Sequence, residues 1–534
     1  MKEITVNVSS FVDIRTKGDY IYVDKTRYVY NLVKSRLNNY YFISRPRRYG
    51  KSLMCSTLHS LFEGKRELFK GLYIDETDYS FEKYPVFHFN FAKFNTTSYN
   101  FFLRDFQDAI INEAEKNGIR VERTQPSSML NSVFEKTEKE IVIIVDEYDI
   151  PIIHTYKNEE LSNAIKEALS SFYSVIKNTN EKVRFFFLTG ITKFSNLSIF
   201  SQMNNLTDLT FSEKYASMFG YTEEEMLFFF SDYINQYMRK EDREYERRED
   251  FIEAIRDYYD GYRFSYRSEE KVYNPVSVGK FFSNDCHFEP YWIETGASTL
   301  AINLARDYHL GRIVKDNPII GFDAILTFDY TNLASHSLDD SQVLALIYFT
   351  GYLTIKEGTS DALTLTFPNG EVRTAFTKSL MKLYVGVDVA SYVENARLAI
   401  KTNNLLSLID TMNAYYEKIP YVVLSKEIGY ESMFYAFFLL IGVEEIKCEE
   451  ATTIGRVDVG ITTKTDVYVI EIKVNQSEDK ALKQIKEKRY YAKYINSDRQ
   501  IHIVGLNFSS RSKKISSWKE EIIDKLKEPS YIKG

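Results

Sequence analysis

Four unbroken apolar runs punctuate the first 210 residues: Tyr40-Tyr-Phe-Ile-Ser44, Val86-Phe-His-Phe-Asn90, Ile141-Val-Ile-Ile-Val145 and Arg184-Phe-Phe-Phe-Leu188. Continuous rather than alternating apolarity is the pattern of strands covered on both faces. Amphipathic stretches of helical period lie between them, so residues 1–210 are predicted to form an α/β domain, a parallel sheet flanked by helices. From 211 to 400 the pattern is mostly helical. Within it, Ser341 to Tyr348 reads as a helix, followed by strand-like Gly351–Ile355 and Leu363–Phe367 around the turn-prone Gly358-Thr-Ser-Asp361. Helix then hairpin fits a winged helix, and equally any small α+β insert. A compact α/β pattern fills the last hundred or so residues. Three regions are therefore expected, at 1–210, 211–400 and 401–534.

Composition adds bounds. A chain of 534 residues exceeds what one hydrophobic core supports, and its 44% hydrophobic and 27% charged residues are those of ordinary globular domains. The 41 Tyr and 38 Phe are spread over the whole chain and mark no particular surface. Three cysteines, odd in number and far apart, give neither a disulfide framework nor a zinc cluster. The seven histidines are equally scattered, so any metal is expected to be held by oxygen. No apolar run suits a signal peptide or a membrane span, which predicts a cytoplasmic protein without a membrane partner. Net charge is -7, yet Lys473 to Gly534 carries 15 Lys and Arg against 8 Asp and Glu, a local excess of +7. Such a segment suits phosphate backbones, and it is also what a solvated lysine-rich face looks like.

Candidate chemistry appears first after the Tyr40–Ser44 run, where Arg45-Pro-Arg-Arg-Tyr-Gly-Lys-Ser52 leads into a helical stretch. Strand, loop, Gly-Lys-Ser and helix is the order of a phosphate-binding loop, in which backbone N–H groups and the helix N-terminus cradle phosphates. Lys51 would reach the β/γ-phosphates and Ser52 would ligate Mg²⁺, with Arg47, Arg48, Tyr49, Gly50 and Leu53 around them. Arg45 stands where the usual motif has its first glycine. The Ile141–Val145 run ends in Asp146-Glu147, which puts Asp146 at the carboxyl end of a strand, where ligands bind in open α/β sheets. Asp146 is expected to hold Mg²⁺ and Glu147 to orient the attacking water. Thr189, at the end of the Arg184–Leu188 strand, is the candidate for sensing the γ-phosphate; a loop satisfying its own backbone is the alternative.

A second constellation lies near the C-terminus: Glu431 on a helix, then Gly455-Arg-Val-Asp458, then Val467-Tyr-Val-Ile-Glu471-Ile-Lys473. Residues two apart on a strand share a face, so Glu471 and Lys473 project together. Placing both on an otherwise apolar strand is unfavourable unless something uses them, a metal site being one reason and an internal ion pair or edge-strand charges the alternative. Asp458 and Glu471 would supply oxygen ligands to Mg²⁺, Lys473 would position or deprotonate the water, and Glu431 would complete the shell. Gln484, on the amphipathic helix that follows, is a further candidate for contact with the site or with a nucleic-acid backbone.

With these residues in view, nearly the whole chain resembles the bacterial AAA-ATPase-like proteins that carry a C-terminal PD-(D/E)XK nuclease domain. The resemblance rests on Tyr22-Val-Asp-Lys25, Arg45 to Ser52, Val145-Asp-Glu-Tyr-Asp149, Leu188-Thr-Gly190, Tyr259-Asp-Gly-Tyr262, Tyr273-Asn-Pro275 and the Asp458, Glu471, Lys473 set. It implies a P-loop ATPase core, a restriction-endonuclease-like C-terminal domain, ATP and Mg²⁺ as cofactors with Mn²⁺ also suited to the nuclease site, and nucleic acid, DNA foremost, as partner. An altered first P-loop position is usual in such proteins. The reading that follows is an ATP-regulated, metal-dependent nuclease, with defence or mobile-element control as an analogy. Its rival is an ATP-driven switch whose C-terminal domain binds nucleic acid or protein without cutting. Association into a homo-oligomer stays open.

Overall fold

In the computed structural model the described residues are 1–294 apart from 7, 38, 194–202 and 204; 319–321; 324–325; 340–385; 390–419; 437; 445–452; 455–463; and 465–525. Those up to 372 form one compact unit and those from 373 onward a second. The division thus falls at 372/373, where the pattern suggested 210 and 400. Amphipathic helices of the middle region bury their apolar faces within the first unit: Phe230, Ile234, Phe251, Ile255 and Phe281 pack with Ile21 and Val23 of the N-terminal segment.

The first unit is built on a parallel sheet in the order β2-β3-β4-β1-β5, with β1 Tyr40–Ser44, β2 Val86–Asn90, β3 Ile141–Asp146, β4 Val183–Gly190 and β5 Thr207–Asp208. Every residue of β1, β3 and β4 is buried, as continuous apolar runs require. β1 joins the helix Lys51–Phe62 through the Arg45–Gly50 loop. The carboxyl ends of β1 and β3 therefore open on one edge, the usual ligand edge of such sheets. Downstream, β6 Ile319–Gly321, β7 Thr354–Gly358 and β8 Ala362–Thr366 form a small antiparallel sheet in the order β6-β8-β7. The helix Asp340–Phe349 precedes the β7–β8 hairpin, so helix-then-hairpin is present, with β6 as a third strand.

The second unit holds a mixed sheet in the order β13-β12-β11-β10-β9, with β9 Glu445–Thr452, β10 Gly455–Thr462, β11 Asp466–Val474, β12 Gln500–Ser509 and β13 Lys514–Ile522. Strict alternation along β11 gives it two covered faces. Tyr468 and Ile470 pack with the helices Ala390–Lys401 and Leu405–Tyr416, whereas Val467 and Val469 pack with Leu482 and Ile485 of the helix Glu478–Lys488. That last helix presses close to β12. A Cβ on Gly505 would run into the Glu478 carbonyl, so only glycine fits the crossing point. Among the described residues no helix is long and apolar enough to cross a membrane.

Candidate functional sites

The Arg45–Gly50 loop turns without the first glycine of the usual motif because Arg45 is anchored from the far side. Its guanidinium is 1% exposed and donates to the carbonyls of Ser44 (2.8 Å), Thr210 (2.8 Å) and Tyr215 (3.2 Å), with its charge 4.3 Å from the Phe264 ring centre. Burial lowers its pKa to about 10, so it stays a cation at neutral pH. The turn itself uses left-handed backbone at Arg48 (φ 71°) and Gly50 (φ 91°), the second being the helix N-cap. Tyr49 packs edge-on against Tyr262 and Phe264, which leaves its backbone N–H as the group it can offer a phosphate.

Lys51 is buried at the helix start. Its ammonium donates to the carbonyls of Arg45 (3.0 Å) and Pro46 (3.1 Å) and lies 3.8 Å from Glu147 Oε1. Ser52 Oγ donates to Asp146 Oδ2 at 2.7 Å, and Asn90, paired in register with Asp146, donates to the same oxygen at 3.2 Å. Asp146 Oδ1 and Glu147 Oε2 are buried without a hydrogen-bond partner among the described residues. Burial, and then the Glu147 charge, push Asp146 up to about 6. A carboxylate so placed, beside a serine hydroxyl, fits a divalent cation, which would supply the missing positive charge.

Lys51, Ser52, Asn90 and Glu147 line a cavity of about 510 Å³ that also takes in Arg47, Arg48, Tyr49, Gly50 and Leu53. Its other walls carry the apolar Val8, Ile14, Ile21, Met218, Phe219 and Pro275 beside polar groups such as Thr5, Tyr22, Lys25 and His154. Two motifs without an assigned role find one here. Lys25, at the cavity wall, donates to Ser217 O at 2.8 Å and Glu225 at 2.6 Å, tying the N-terminal segment to the chain around Met218. Asn274 caps the helix Pro275–Ser283 by accepting from Val276 N and Ser277 N, which sets Pro275 in the wall.

Thr189 is not brought to this cavity. It is fully buried, and its hydroxyl donates across to the Ile43 carbonyl of β1 at 2.9 Å. The residue that sequence reasoning passed over is Asp149. It is 0% exposed, and its Oδ2 accepts from Ile191 N (2.9 Å), Thr192 N (2.8 Å) and Thr192 Oγ1 (3.0 Å), fastening the turn after β3 to the end of β4. Burial and the Glu147 charge push it too up to about 6. Its place in Val145-Asp-Glu-Tyr-Asp149 was the available signal.

In the second unit, Glu471 is 2% exposed and its Oε1 accepts from Lys473 Nζ at 2.8 Å and from Gln484 Nε2. Gln484 also donates to Tyr490 Oη at 3.3 Å, a partner the sequence did not suggest. Glu471 and Lys473 continue the Val467, Val469 face of β11, which the helix carrying Gln484 covers. On β10, Val459 pairs with Ile470, so Asp458 and Glu471 are each the next position along antiparallel neighbours, on one face by alternation. The Asp458 side chain and the whole of Glu431 lie outside the described residues. Among the described residues no three His, Cys, Asp or Glu side chains converge on a metal position.

Comparison with known proteins agrees with both halves. Residues 5–200 match the family described as "Predicted AAA-ATPase", and residues 425–518 match the PD-(D/E)XK nuclease superfamily. The "Uncharacterized protein in vnfD 5'region" of Azotobacter chroococcum mcd 1 is 30% identical over 541 residues, covering 96% of this chain and 98% of that protein. The chain belongs to the AAA-ATPase-like family with a C-terminal PD-(D/E)XK nuclease domain. The parallel five-stranded sheet is its ATPase-like part and the mixed sheet its nuclease-superfamily part.

Proposed function

We propose that this protein is an ATP-regulated, Mg²⁺-dependent DNA nuclease, with nucleotide hydrolysed in the first unit and phosphodiester bonds in the second. The observation that carries the nuclease half is the buried Glu471, gripped by Lys473 and Gln484 on the face that backbone register shares with Asp458. On this reading Asp458 and Glu471 hold the metal, which supplies a Lewis acid and a water of lowered pKa. Lys473 holds a proton donor against the charge that develops on the phosphate, and Gln484 fixes the Glu471 carboxylate in place. In the first unit, backbone N–H groups at Gly50 to Ser52 and the Lys51 ammonium bind the triphosphate. Ser52 and Asp146 hold Mg²⁺, and Glu147 takes a proton from the attacking water. The apolar walls exclude solvent around the base. Control of invading or mobile DNA fits a nuclease kept under nucleotide control.

One observation favours the rival reading of a switch that binds without cutting: Glu471 is already paired within the chain. The two separate cleanly. Linear, circular and single-stranded DNA, and RNA, are incubated with the full chain with and without ATP and Mg²⁺. Metal-dependent cleavage that disappears in Lys473→Ala is expected. Cleavage that survives in that variant sinks the site assignment, and nucleotide hydrolysis with no cleavage of any substrate returns the second unit to a binding role.

A further inference from the structure

Immediately beyond Lys473 the chain turns through Asn475, whose backbone is left-handed at φ 54°. That turn is fastened to the tip of the β12–β13 hairpin. Asn475 Nδ2 donates to Ser510 Oγ at 2.8 Å, Ser510 N donates to Asn475 Oδ1 at 3.0 Å, and Asn475 N donates to Phe508 O at 2.8 Å. Gln476 N adds a bond to Asn507 Oδ1 at 3.1 Å. A hairpin tip tied this way holds its side chains in a set relation to Lys473.

The tip reads Ser509-Ser-Arg-Ser-Lys-Lys514, and no acidic residue occurs between Asp498 and Glu520. Arg511 and Lys514 are exposed and have no carboxylate partner among the described residues. Elsewhere in this basic segment three lysines are matched: Lys483 with Glu487 (3.7 Å), Lys486 with Glu521 (2.5 Å) and Lys519 with Asp479 (3.0 Å). The tip therefore offers unmatched positive charge, and the exposed Lys480 and Lys488 add to it on the helix.

Asn507 pairs with Lys473 in the parallel β11–β12 ladder, and Arg511 lies four residues further on. β12 ends at Ser509, so Arg511 stands in the turn that Ser510 ties to Asn475, two residues beyond Lys473. A two-stranded ribbon also fits the wide major groove of B-form DNA, whereas the A-form RNA groove is too deep and narrow for it. We propose that the Ser509–Lys514 hairpin tip is a clamp for duplex DNA, with Arg511 and Lys514 holding phosphates that flank the one presented to Glu471 and Lys473. The proposal rests on the nuclease reading of the second unit.

The test measures binding of the full chain to a labelled DNA duplex in EDTA over a range of salt. Each phosphate contact contributes about 0.9 to the slope of log K against log salt, so R511Q/K514Q should lower it by about 1.8. Lys488→Gln, at the far end of the Glu478–Lys488 helix, should leave the slope unchanged. Should the double variant fail to fold, R511Q alone must still lower the slope by about 0.9. The clamp is overturned by an unchanged slope, by an equal loss in Lys488→Gln, by tighter binding of duplex RNA than of DNA, or by no binding in the unsubstituted chain. Cleavage is scored separately with Mg²⁺. A slope lost as expected in a protein that never cuts keeps the clamp and removes the nuclease, whereas cleavage with an unchanged slope removes the clamp alone.

Discussion

Asp146 Oδ2, at the end of β3, accepts from the neutral Ser52 and Asn90, whereas Glu471 Oε1, on β11, accepts from Gln484 and from the Lys473 ammonium. Both are acids taken out of water, and both need compensation. In the first unit the direct contacts are the neutral Ser52 hydroxyl and Asn90 amide, the Lys51 charge acts from further off, and the carboxyl is left with a raised pKa. In the second a lysine two residues away supplies the positive charge from within the chain. The first site sets one lysine, Lys51, against the two carboxylates of Asp146 and Glu147, whereas Lys473 sits directly on Glu471. Ligand should therefore stabilise the first unit more than metal alone stabilises the second.

The largest effect that would sharpen this contrast is on hydrolysis. Glu147→Gln should slow ATP turnover by about 10² to 10⁴-fold, the usual worth of a positioned general base, while equilibrium binding of Mg-ATP persists. Unaltered turnover would remove Glu147 from the mechanism. Next comes packing around the second site. Gly505→Ala should destabilise the second unit by about 1–3 kcal/mol, because the clash is with helix backbone rather than a movable side chain. A denaturation midpoint equal to that of the unsubstituted chain would mean the Glu478–Lys488 helix sits further from β12.

The pH dependence follows from Asp146 and Asp149, each raised to about 6 from an ordinary value of 3.8. A carboxyl whose folded pKa is raised contributes stability that is fully present below its unfolded pKa and is lost as pH rises through the folded one. These two groups should therefore favour the ligand-free first unit as pH falls from about 7 toward 4. Asp149→Asn should remove its share of that gain, at most about 3 kcal/mol for a shift of this size. Chemical denaturation of both proteins at several pH values checks it. A variant with the unsubstituted chain's pH slope would show Asp149 to be untitrated. Stabilisation by Mg-ATP should run the other way, shrinking below pH 6 as Asp146 takes a proton. The smallest effect is expected at Thr189→Val, about 0.5–1.5 kcal/mol for one buried hydrogen bond, with ATP turnover kept. A large loss of turnover there would restore Thr189 as a phosphate sensor.

The chain's local patterns were sufficient for the four main strands of the first sheet, for the loop and helix at Gly50-Lys51-Ser52, and for Asp146 at a strand end. Each depends on residues adjacent in sequence: apolar continuity, a glycine able to take positive φ, and the period of a strand. The Glu471 and Lys473 pairing was legible for the same reason, since positions two apart must share a face. What only the tertiary structure decided involves residues far apart in the chain. Arg45 stands in for a glycine because Thr210 and Tyr215, some 165 and 170 residues on, offer it carbonyls. Thr189 turns to the Ile43 carbonyl because β4 lies beside β1. Asp458 comes beside Glu471 through the register of β10 on β11, and Gln484 reaches Glu471 because Gly505 lets its helix close on the sheet. Periodicity tells which face of an element is buried, but strand order and register choose which buried groups meet.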